Sequence, residues 1–558
     1  MKGLLSLLSL LSLSAPAVGL EPYLVKDINP VPEPGSSSPS DFVTLGSVAL
    51  FSVFDGSAGS EIWRSDGTEA GTWQVTHLCQ PFCNFGDPQA FAQTSRHYFF
   101  QLLDEGSNWR LWATDGTAAG TFQLTDPSVN AFGAGVSDGD VLYFNVSVGD
   151  DEDSVYQVWR SDGTPSGTWR VADQSPYAMA AFQGSVYFAG TDGLWKTDGT
   201  PAGTVMVSPL TASALFVVGD RLVFQVYPPG PTEELWSSDG TPEGTLKLSG
   251  ALWFPYFSVQ GGRLYFVAED DEDGQELWVT DGTPQNTRAL TRLPRSDAFF
   301  SHSQGYFLEL PRVAAGNRFV FMANDGPYNI EPWVTDGTVK GTRQLKDLCP
   351  GYCEDVTRIW DSTLPGLVFM TVTTPDRGNE LWVTDGTRAG TRLVRDLCPG
   401  SCDGHPYAPF VVKDRLIFVA NDGVHGEELW TTDGKEANTL RISNFAPEEP
   451  WYEPDWTVAG GQLLFDAPGP EGDELWRTDG TSKGTRLVRD INTADIGGSH
   501  PIYLMASGDE AFFFTYSYET SDIALWKSDG TDAETVQVRA VDREDTEGLL
   551  YGGSASAQ

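Results

Sequence analysis

Residues 406–443 read PYAPFVVKDRLIFVANDGVHGEELWTTDGKEANTLRIS and contain four short apolar segments. The segments are residues 409–412, 415–420, 428–431 and 439–442. β-Branched and aromatic residues are common in them, and the turn sequences Lys-Asp, Asn-Asp-Gly and Asp-Gly separate them, which is typical of antiparallel hairpins. The stretch therefore predicts four antiparallel strands in one unit.

The same unit recurs along the chain. Trp-x-x-Asp-Gly occurs eleven times, at intervals of 36 to 55 residues that average about 46, and a threonine follows each Asp by six residues. Ten copies read Asp-Gly-Thr, and the remaining one has Lys435 in place of Thr. Four strands at this period are typical of β-propeller blades. We therefore expect an all-β β-propeller of eleven four-stranded antiparallel blades, as two tandem rings or one large ring.

We predict structural roles for the recurring Trp and Asp residues. An Asp side chain can accept backbone hydrogen bonds within a tight turn, and the Gly after it adopts positive φ at little cost. The large Trp ring can wedge between neighbouring sheets. The predicted structural residues are Trp63, Asp66, Trp112, Asp115, Trp159, Asp162, Trp195, Asp198, Trp236, Asp239, Trp278, Asp281, Trp333, Asp336, Trp382, Asp385, Trp430, Asp433, Trp476, Asp479, Trp526 and Asp529.

Residues 1–17 have the pattern of a secretory signal peptide. Lys2 precedes an apolar run over residues 4–13, and Ala15 and Ala17 form a small-x-small cleavage pattern. The run is shorter than the ~20 residues that a membrane-spanning helix requires. We therefore expect a chain that is secreted, periplasmic or at the cell surface after cleavage, without membrane insertion.

The widest interval between repeats runs from Trp278 to Trp333 and suggests a division of the array. We assign repeats 1–6 to residues 18–292, repeats 7–11 to residues 293–545, and a flexible C-terminal tail to residues 546–558. No Pro/Gly/Ser linker interrupts the pattern, so a continuous array remains the alternative. Ahead of the first complete unit, residues 24–28 (LVKDI) resemble the fourth-strand sequence of residues 487–491 (LVRDI).

Composition excludes some partners. The 558 residues carry 35 Lys and Arg against 77 Asp and Glu, a formal charge of −42. Nucleic-acid binding and adhesion to anionic membranes both depend on clustered basic residues, so neither is expected.

The six cysteines form three pairs with the same spacing. They are Cys79 and Cys83, Cys349 and Cys353, and Cys398 and Cys402. An even number of cysteines in an exported chain indicates local disulfides. A metal site is the alternative, because His77 and His405 lie near two pairs, but the middle pair has no such histidine.

The repeat resembles the ELWxxDGT repeat family of exported bacterial proteins. The strings ELWVTDGT at residues 276–283 and 380–387 carry this resemblance, which extends over about residues 21–542. Seven copies have Glu two residues before Trp, whereas Arg110, Gln157, Gly193 and Ala524 replace it in the others. The resemblance implies a repeat architecture and bacterial export, and it implies no activity.

A second resemblance is to the tryptophan-docking motif of quinoprotein propellers, Ala-x-Asp-x-x-x-Gly-x-Glu-x-Trp. Residues 420–430 and 268–278 match this motif. In that family the motif locks neighbouring blades together, so the resemblance implies a propeller. Quinone enzymes of this class typically have a vicinal Cys-Cys disulfide, and this chain has no adjacent cysteines.

No catalytic motif is evident in the sequence. The best cofactor candidate is Ca²⁺, because acidic turns can supply several oxygen ligands. The candidate ligands are Asp150, Asp151, Asp153, Asp270, Asp271 and Asp273. Their spacing departs from the Asp-x-Asp-x-Asp-Gly loop, so solvated turns that maintain solubility are the favoured interpretation.

These observations favour an exported, non-enzymatic scaffold that binds a protein or glycan at a cell surface through its loops. The connections from each fourth strand to the next first strand vary most in length and sequence, as a binding face would. One alternative is a polysaccharide-acting hydrolase or lyase with acidic residues at the propeller channel. Another is an envelope or matrix structural protein.

Overall fold

The described residues form eleven four-stranded antiparallel blades of a β-propeller, and blades 5 and 6 share one strand within a seven-stranded sheet. The expected all-β fold is thus confirmed. The computed structural model describes residues 40–54, 60–66, 70–77, 88–103, 109–126, 129–149, 155–190, 192–228, 233–270, 274–293, 313–315, 318–324, 330–348, 358–360, 364–445, 455–469, 472–491, 498–507, 509–516 and 523–541.

The first six blades contain strands β1 to β23. Blade 1 is β1 (Ser40–Leu45), β2 (Val48–Phe54), β3 (Ser60–Ser65) and β4 (Trp73–Gln74). Blade 2 is β5 (Gln89–Gln93), β6 (Tyr98–Leu103), β7 (Trp109–Thr114) and β8 (Thr121–Gln123). Blade 3 is β9 (Val129–Asp138), β10 (Val141–Val148), β11 (Val155–Ser161) and β12 (Trp169–Ala172). Blade 4 is β13 (Pro176–Phe182), β14 (Ser185–Gly190), β15 (Gly193–Thr197) and β16 (Val205–Ser208). Blades 5 and 6 are β17 (Ala212–Val218), β18 (Arg221–Val226), β19 (Glu233–Ser238), β20 (Leu246–Gln260), β21 (Arg263–Asp270), β22 (Gly274–Thr280) and β23 (Arg288–Ala289), with β20 shared.

The remaining five blades contain strands β24 to β43. Blade 7 is β24 (Val313–Ala315), β25 (Arg318–Asn324), β26 (Ile330–Thr335) and β27 (Arg343–Gln344). Blade 8 is β28 (Arg358–Ile359), β29 (Val368–Thr374), β30 (Gly378–Thr384) and β31 (Arg392–Leu393). Blade 9 is β32 (Tyr407–Val412), β33 (Arg415–Asn421), β34 (Glu427–Thr432) and β35 (Leu440–Arg441). Blade 10 is β36 (Trp456–Ala459), β37 (Gln462–Gly469), β38 (Gly472–Thr478) and β39 (Arg486–Arg489). Blade 11 is β40 (Ile502–Ser507), β41 (Glu510–Tyr516), β42 (Ile523–Ser528) and β43 (Val536–Val541).

Helical structure in the described residues is limited to single 3₁₀ turns. They lie between the third and fourth strands at Ala118–Gly120, Pro165–Gly167, Pro284–Asn286 and Glu436–Asn438. In the described part of the chain, we find no helix with the length and apolar character needed to span a membrane.

Each blade has two ends with different loops. Because its strands are antiparallel, the hairpin between strands one and two lies at the same end as the Asp-Gly-Thr turn between strands three and four. We call this end the turn face. The hairpin between strands two and three lies at the opposite end, together with the connection to the next blade, and we call that end the connection face.

Consecutive blades bury their apolar side chains against each other. Phe99 of blade 2 packs with Phe144 of blade 3, and Phe369 of blade 8 packs with Phe418 of blade 9. Blades 6 and 7 share a core of the same kind, which includes Tyr265. The core therefore lies between the sheets throughout the described array, including on both sides of the domain boundary predicted near residue 292.

The turn face adds polar contacts between blades. Arg64 Nη1 of blade 1 donates to the Gly116 carbonyl of blade 2 over 3.3 Å. Arg318 of blade 7 donates in the same way to the Gly386 carbonyl of blade 8, over 3.1 Å. The accepting Gly belongs to an Asp-Gly-Thr turn in both cases, so these turns contact the preceding blade.

Candidate functional site

The aspartates of the Asp-Gly-Thr turns direct their hydrogen bonds inward, to their own turn. Asp239 Oδ1 accepts from the Thr241 backbone N–H over 3.0 Å and from the Thr241 hydroxyl over 2.7 Å. The hydroxyl bond is the main reason that the pKa of Asp239 lies below its ordinary value. Ten described turns show the backbone bond, at Asp115, Asp162, Asp198, Asp239, Asp281, Asp336, Asp385, Asp433, Asp479 and Asp529. This geometry builds the turn and leaves the aspartates little capacity for other chemistry.

Most of these aspartates are followed five residues later by a glycine, a recurring position to which the sequence analysis assigned no role. A Cβ atom at Gly244 would lie 1.9 Å from Asp239 Oδ1, so the carboxylate occupies the space of a side chain. In two turns Asn stands at this position instead. Asn286 and Asn438 donate from Nδ2 to the carboxylates of Asp281 and Asp433, each over 2.7 Å. Over the eleven repeats this position is Gly in eight and Asn in two, and in blade 11 it is Glu534, so the preference is strong but one side chain without an amide donor also occurs.

The recurring tryptophans lie against the blade that precedes them. The Trp430 ring is 5% exposed and packs with Phe418 and with residues of blade 8. The Arg395 guanidinium of blade 8 lies 5.8 Å from its centroid, and Trp430 Nε1 donates to the Ala420 carbonyl over 3.2 Å. Lys346 of blade 7 lies similarly over Trp382 of blade 8, at 5.3 Å. These rings are positioned to hold neighbouring blades together.

The Glu two residues before the recurring Trp holds the segment of chain that follows the fourth strand of its blade. Glu380 is fully buried and accepts from the backbone N–H groups of Leu397 and Cys398, over 2.9 and 3.0 Å. Burial raises its pKa to about 7, although these hydrogen bonds oppose the change. Glu331 accepts in the same way from the Leu348 N–H over 2.8 Å. The Glu thus organises the connection that follows the fourth strand.

One such connection is closed by a disulfide. Cys398 bonds to Cys402, which confirms one of the three predicted pairs, and the other two pairs lie outside the described residues. A Cβ at Gly423 would lie 2.7 Å from Cys398 Sγ, so the second hairpin of blade 9 packs directly on the disulfide. A Cβ at Gly404 would likewise lie 2.8 Å from Glu380 Oε1. The disulfide and the close packing at these two glycines therefore hold the connection between blades 8 and 9 in a defined conformation.

The connection face carries the exposed tyrosines. Among the described residues, the tyrosines with large exposed areas are Tyr156 at 44%, Tyr177 at 60%, Tyr227 at 51% and Tyr503 at 45%. Tyr156, Tyr177 and Tyr503 lie near the starts of third or first strands, and Tyr227 follows a second strand. All of these positions belong to the connection face. Tyr156, Tyr177 and Tyr227 come from the consecutive blades 3, 4 and 5.

Three histidines also lie on the connection face of the later blades. His425 Nδ1 lies 2.7 Å from Asp422, and His500 Nδ1 lies 3.1 Å from Asp473. The His405 ring lies 5.6 Å from the ring of Tyr407. Within the described ranges, no three or more His, Cys, Asp or Glu side chains form a group that could hold a metal ion. Of the predicted Ca²⁺ ligands, Asp150, Asp151, Asp153, Asp271 and Asp273 lie outside the described residues, as does the side chain of Asp270.

Two aspartates with raised carboxyl pKa values lie at the entry to blade 10. Asp466 Oδ1 accepts from the Asp455 backbone N–H over 2.6 Å, and the Asp455 carboxylate accepts from the Tyr503 N–H of blade 11. Burial raises the pKa of Asp466 from 3.8 to about 7, and it also raises the pKa of Asp455. These residues are eleven apart, a spacing that matches no recognisable motif, so no sequence signal marks this pair.

The raised pKa of Asp466 predicts a pH-dependent effect of Asp466→Asn. The folded state retains a proton that the unfolded state releases above pH 3.8, so the free energy of unfolding decreases as the pH rises from there to about 7. Asn cannot ionise and can still accept from Asp455, so we expect it to stabilise the protein at pH 8 by about 1.4 kcal/mol or more, the value of one pKa unit. At pH 4 we expect little change. Urea denaturation at both values tests this, with exposed Asp414→Asn as the control, and an equal gain at both values would contradict it.

The chain matches no family profile and no curated sequence. Among solved structures it is similar to puromycin hydrolase, with 12% identity and a TM-score of 0.27, over 70% of this chain and 58% of that one. It is also similar to an acylaminoacyl peptidase of Pyrococcus horikoshii, with 11% identity and a TM-score of 0.26, over 63% and 59%. The β-propeller domain of the Trilobed protease from Pyrococcus furiosus has 13% identity and a TM-score of 0.25, over 56% and 98%.

The chain spans about three fifths of the length of puromycin hydrolase and of the acylaminoacyl peptidase. At these identities and scores the similarities carry no conclusion about activity or partners. The class that the fold defines is a β-propeller with eleven blades.

Proposed function

We propose that the chain is an exported, non-enzymatic repeat scaffold of the ELWxxDGT type that binds a protein or glycan partner through its connection face. The observation that carries this proposal is the collection of the exposed tyrosines of the described residues on that face. Tyrosine provides a large, rigid contact area together with a hydroxyl group, and it is enriched where proteins bind partners. Its flat ring suits an apolar protein surface as well as the apolar face of a sugar.

The contacts of the repeated side chains support a division of roles between a constant framework and variable connections. The repeated Trp, Asp and Glu side chains are occupied by contacts within and between blades, as Asp239, Glu380 and Trp430 show. The connections differ from blade to blade, so they can carry specificity without changing the framework. A rigid array that presents variable loops is a suitable binding scaffold.

Affinity electrophoresis of the mature protein in gels containing starch, xylan or β-glucan tests the glycan form of this proposal. We expect at least one polysaccharide to retard the wild-type protein. The triple variant Tyr156→Ala, Tyr177→Ala and Tyr227→Ala should then bind at least about tenfold more weakly, since aromatic residues dominate such contacts. The matched control is Val339→Ala, which truncates a 56% exposed side chain on the turn face. Equal loss in the control variant would contradict the assignment of the face.

A polysaccharide-acting hydrolase is a second candidate, and one observation favours it. Burial raises the pKa of Asp466 to about 7, in the range that suits a general acid, and its Oδ1 accepts from the backbone N–H of Asp455, whose own carboxyl pKa is also raised. Release of reducing sugar from the same polysaccharides tests this candidate. Activity that disappears in Asp466→Asn, while glycan retardation remains, would favour the enzyme over the scaffold.

A further inference from the structure

One face of each sheet packs on the next blade along the chain, and we call it the forward face. In blade 10 the forward face carries Leu464, Leu475 and Val488. These residues form one core with Ala511 and Phe513 of blade 11. The forward face of a blade is therefore normally an interior surface.

The forward face of blade 11 is more exposed. Phe512, Leu525 and Val538 occupy the repeat positions of the three blade 10 residues. Val538 is 36% exposed, whereas Phe512 and Leu525 are half-buried. Phe514, which pairs with Leu525 in the sheet, is half-buried as well. We call Phe512, Phe514, Leu525 and Val538 the end face.

The same positions are better covered in the other blades. The residue before the recurring Trp, the position of Leu525, is buried in all ten of them. The residue nine positions after the turn aspartate, the position of Val538, is at most 7% exposed in nine of them. In the tenth, Leu248 packs against the core of blades 5 and 6. The end face therefore lacks the sheet that these positions normally contact.

Blade 1 does not supply that sheet. The side of blade 1 opposite to its own forward face carries Phe51 and Trp63, which pack together. They are 7% and 6% exposed, so this side of blade 1 is already covered in the structure. A sheet that covers the end face then has to come from another molecule.

The end face is uncharged, although the chain carries a formal charge of −42. The neighbouring Lys527 is 3% exposed, and its Nζ lies 3.3 Å from Glu510 Oε1 of the same blade. Two copies can thus bring their end faces together without opposing carboxylates. Because the end face of a second copy is equally uncovered, the contact joins like faces and is two-fold symmetric.

We propose that two copies of the chain associate through their end faces, with the four apolar side chains of each packed against those of the other. Face-to-face packing of two sheets removes such side chains from water. The dimer carries two connection faces, so it binds a repetitive polymer with higher avidity than one copy does. Only this last consequence rests on the proposed function.

Sedimentation velocity of the mature chain without any polysaccharide tests the association. We expect dimer to accumulate between about 1 and about 100 µM, the range for a small interface, in about 0.15 M salt to screen the net charge. Leu525→Lys places two ammonium groups in the contact and should weaken the dimer at least about tenfold. Val538→Lys does the same at a more exposed position, which covers the case in which Leu525→Lys does not fold.

The matched control is Val205→Lys, which changes a 50% exposed side chain on the fourth strand of blade 4 and should leave the dimer intact. An added lysine lowers the net negative charge, so a general charge effect would strengthen association in all three variants. A chain that stays monomeric at every concentration would overturn the proposal. A dimer that neither end-face variant weakens, or that the control weakens equally, would overturn it as well.

Discussion

Replacing Trp430 with alanine is expected to lower the free energy of unfolding by about 3–5 kcal/mol, the usual range for removing a buried aromatic side chain. The ring is 5% exposed and belongs to a core that contains residues of blades 8 and 9. Its removal leaves a cavity between two sheets whose shared core also contains Trp360, Phe369 and Phe418. It also leaves the Ala420 carbonyl without the indole donor and Arg395 without its ring contact.

Two further variants separate the contributions at this site. Trp430→Phe keeps an aromatic ring but loses the hydrogen bond, so its cost should be about 1–2 kcal/mol. Val424→Ala truncates a side chain that is 80% exposed in the same blade, and it should be within about 0.5 kcal/mol of the wild type. Urea denaturation followed by circular dichroism measures all three. A loss below about 1 kcal/mol for Trp430→Ala would mean that the ring does not hold the blades together.

Gly244→Ala is expected to cost about 2 kcal/mol, because the new Cβ displaces a carboxylate that makes two hydrogen bonds. The Cβ would lie 1.9 Å from Asp239 Oδ1, and this oxygen accepts from both the backbone and the hydroxyl of Thr241. Gly244→Asn should cost less than Gly244→Ala, since Asn286 and Asn438 show that an amide at this position can donate to the displaced carboxylate. Thermal unfolding of the two variants gives the comparison.

A double-mutant cycle with Asp239→Ala identifies the cause. If the cost of Gly244→Ala comes from the carboxylate, then in the Asp239→Ala background it should fall below about 0.5 kcal/mol, and the coupling should exceed about 1 kcal/mol. Additive costs would show instead that the alanine disturbs the backbone of the turn. In that case the carboxylate would not be the reason for Gly at this position.

Much of the fold could be predicted because each blade repeats its own local signals. The four segments expected within residues 406–443 correspond to β32, β33, β34 and β35, with ends that differ by one or two residues. The turn residues between the segments predict where each strand ends, and the strands of the structure end close to these positions. One difference concerns blades 5 and 6, where the connection continues without a break as the fifteen-residue strand β20. Gly250 and Pro255 lie within this strand, so turn signals in the sequence do not account for its continuity.

The candidate site could be predicted only in outline. The variability of the connections indicated which loops to consider, but the exposure of Tyr177 or Tyr227 depends on how neighbouring blades cover each other. Asp455, which precedes β36, contacts Asp466 of β37 through its backbone N–H, and no spacing rule marks this pair. The glycine five residues after the turn aspartate was visible in the sequence, yet its reason appears only when the carboxylate is seen in the space of its side chain.

The central claim is that the turn face maintains the array while the connection face binds. Hydrogen exchange of the mature chain, with and without a polysaccharide that retards it, tests this claim most directly. The account predicts protection at the start of β11, at the start of β13 and at the end of β18, where the exposed tyrosines lie, with the Asp-Gly-Thr turns unchanged. Protection centred on the turns, for example at residues 239–245, would contradict it.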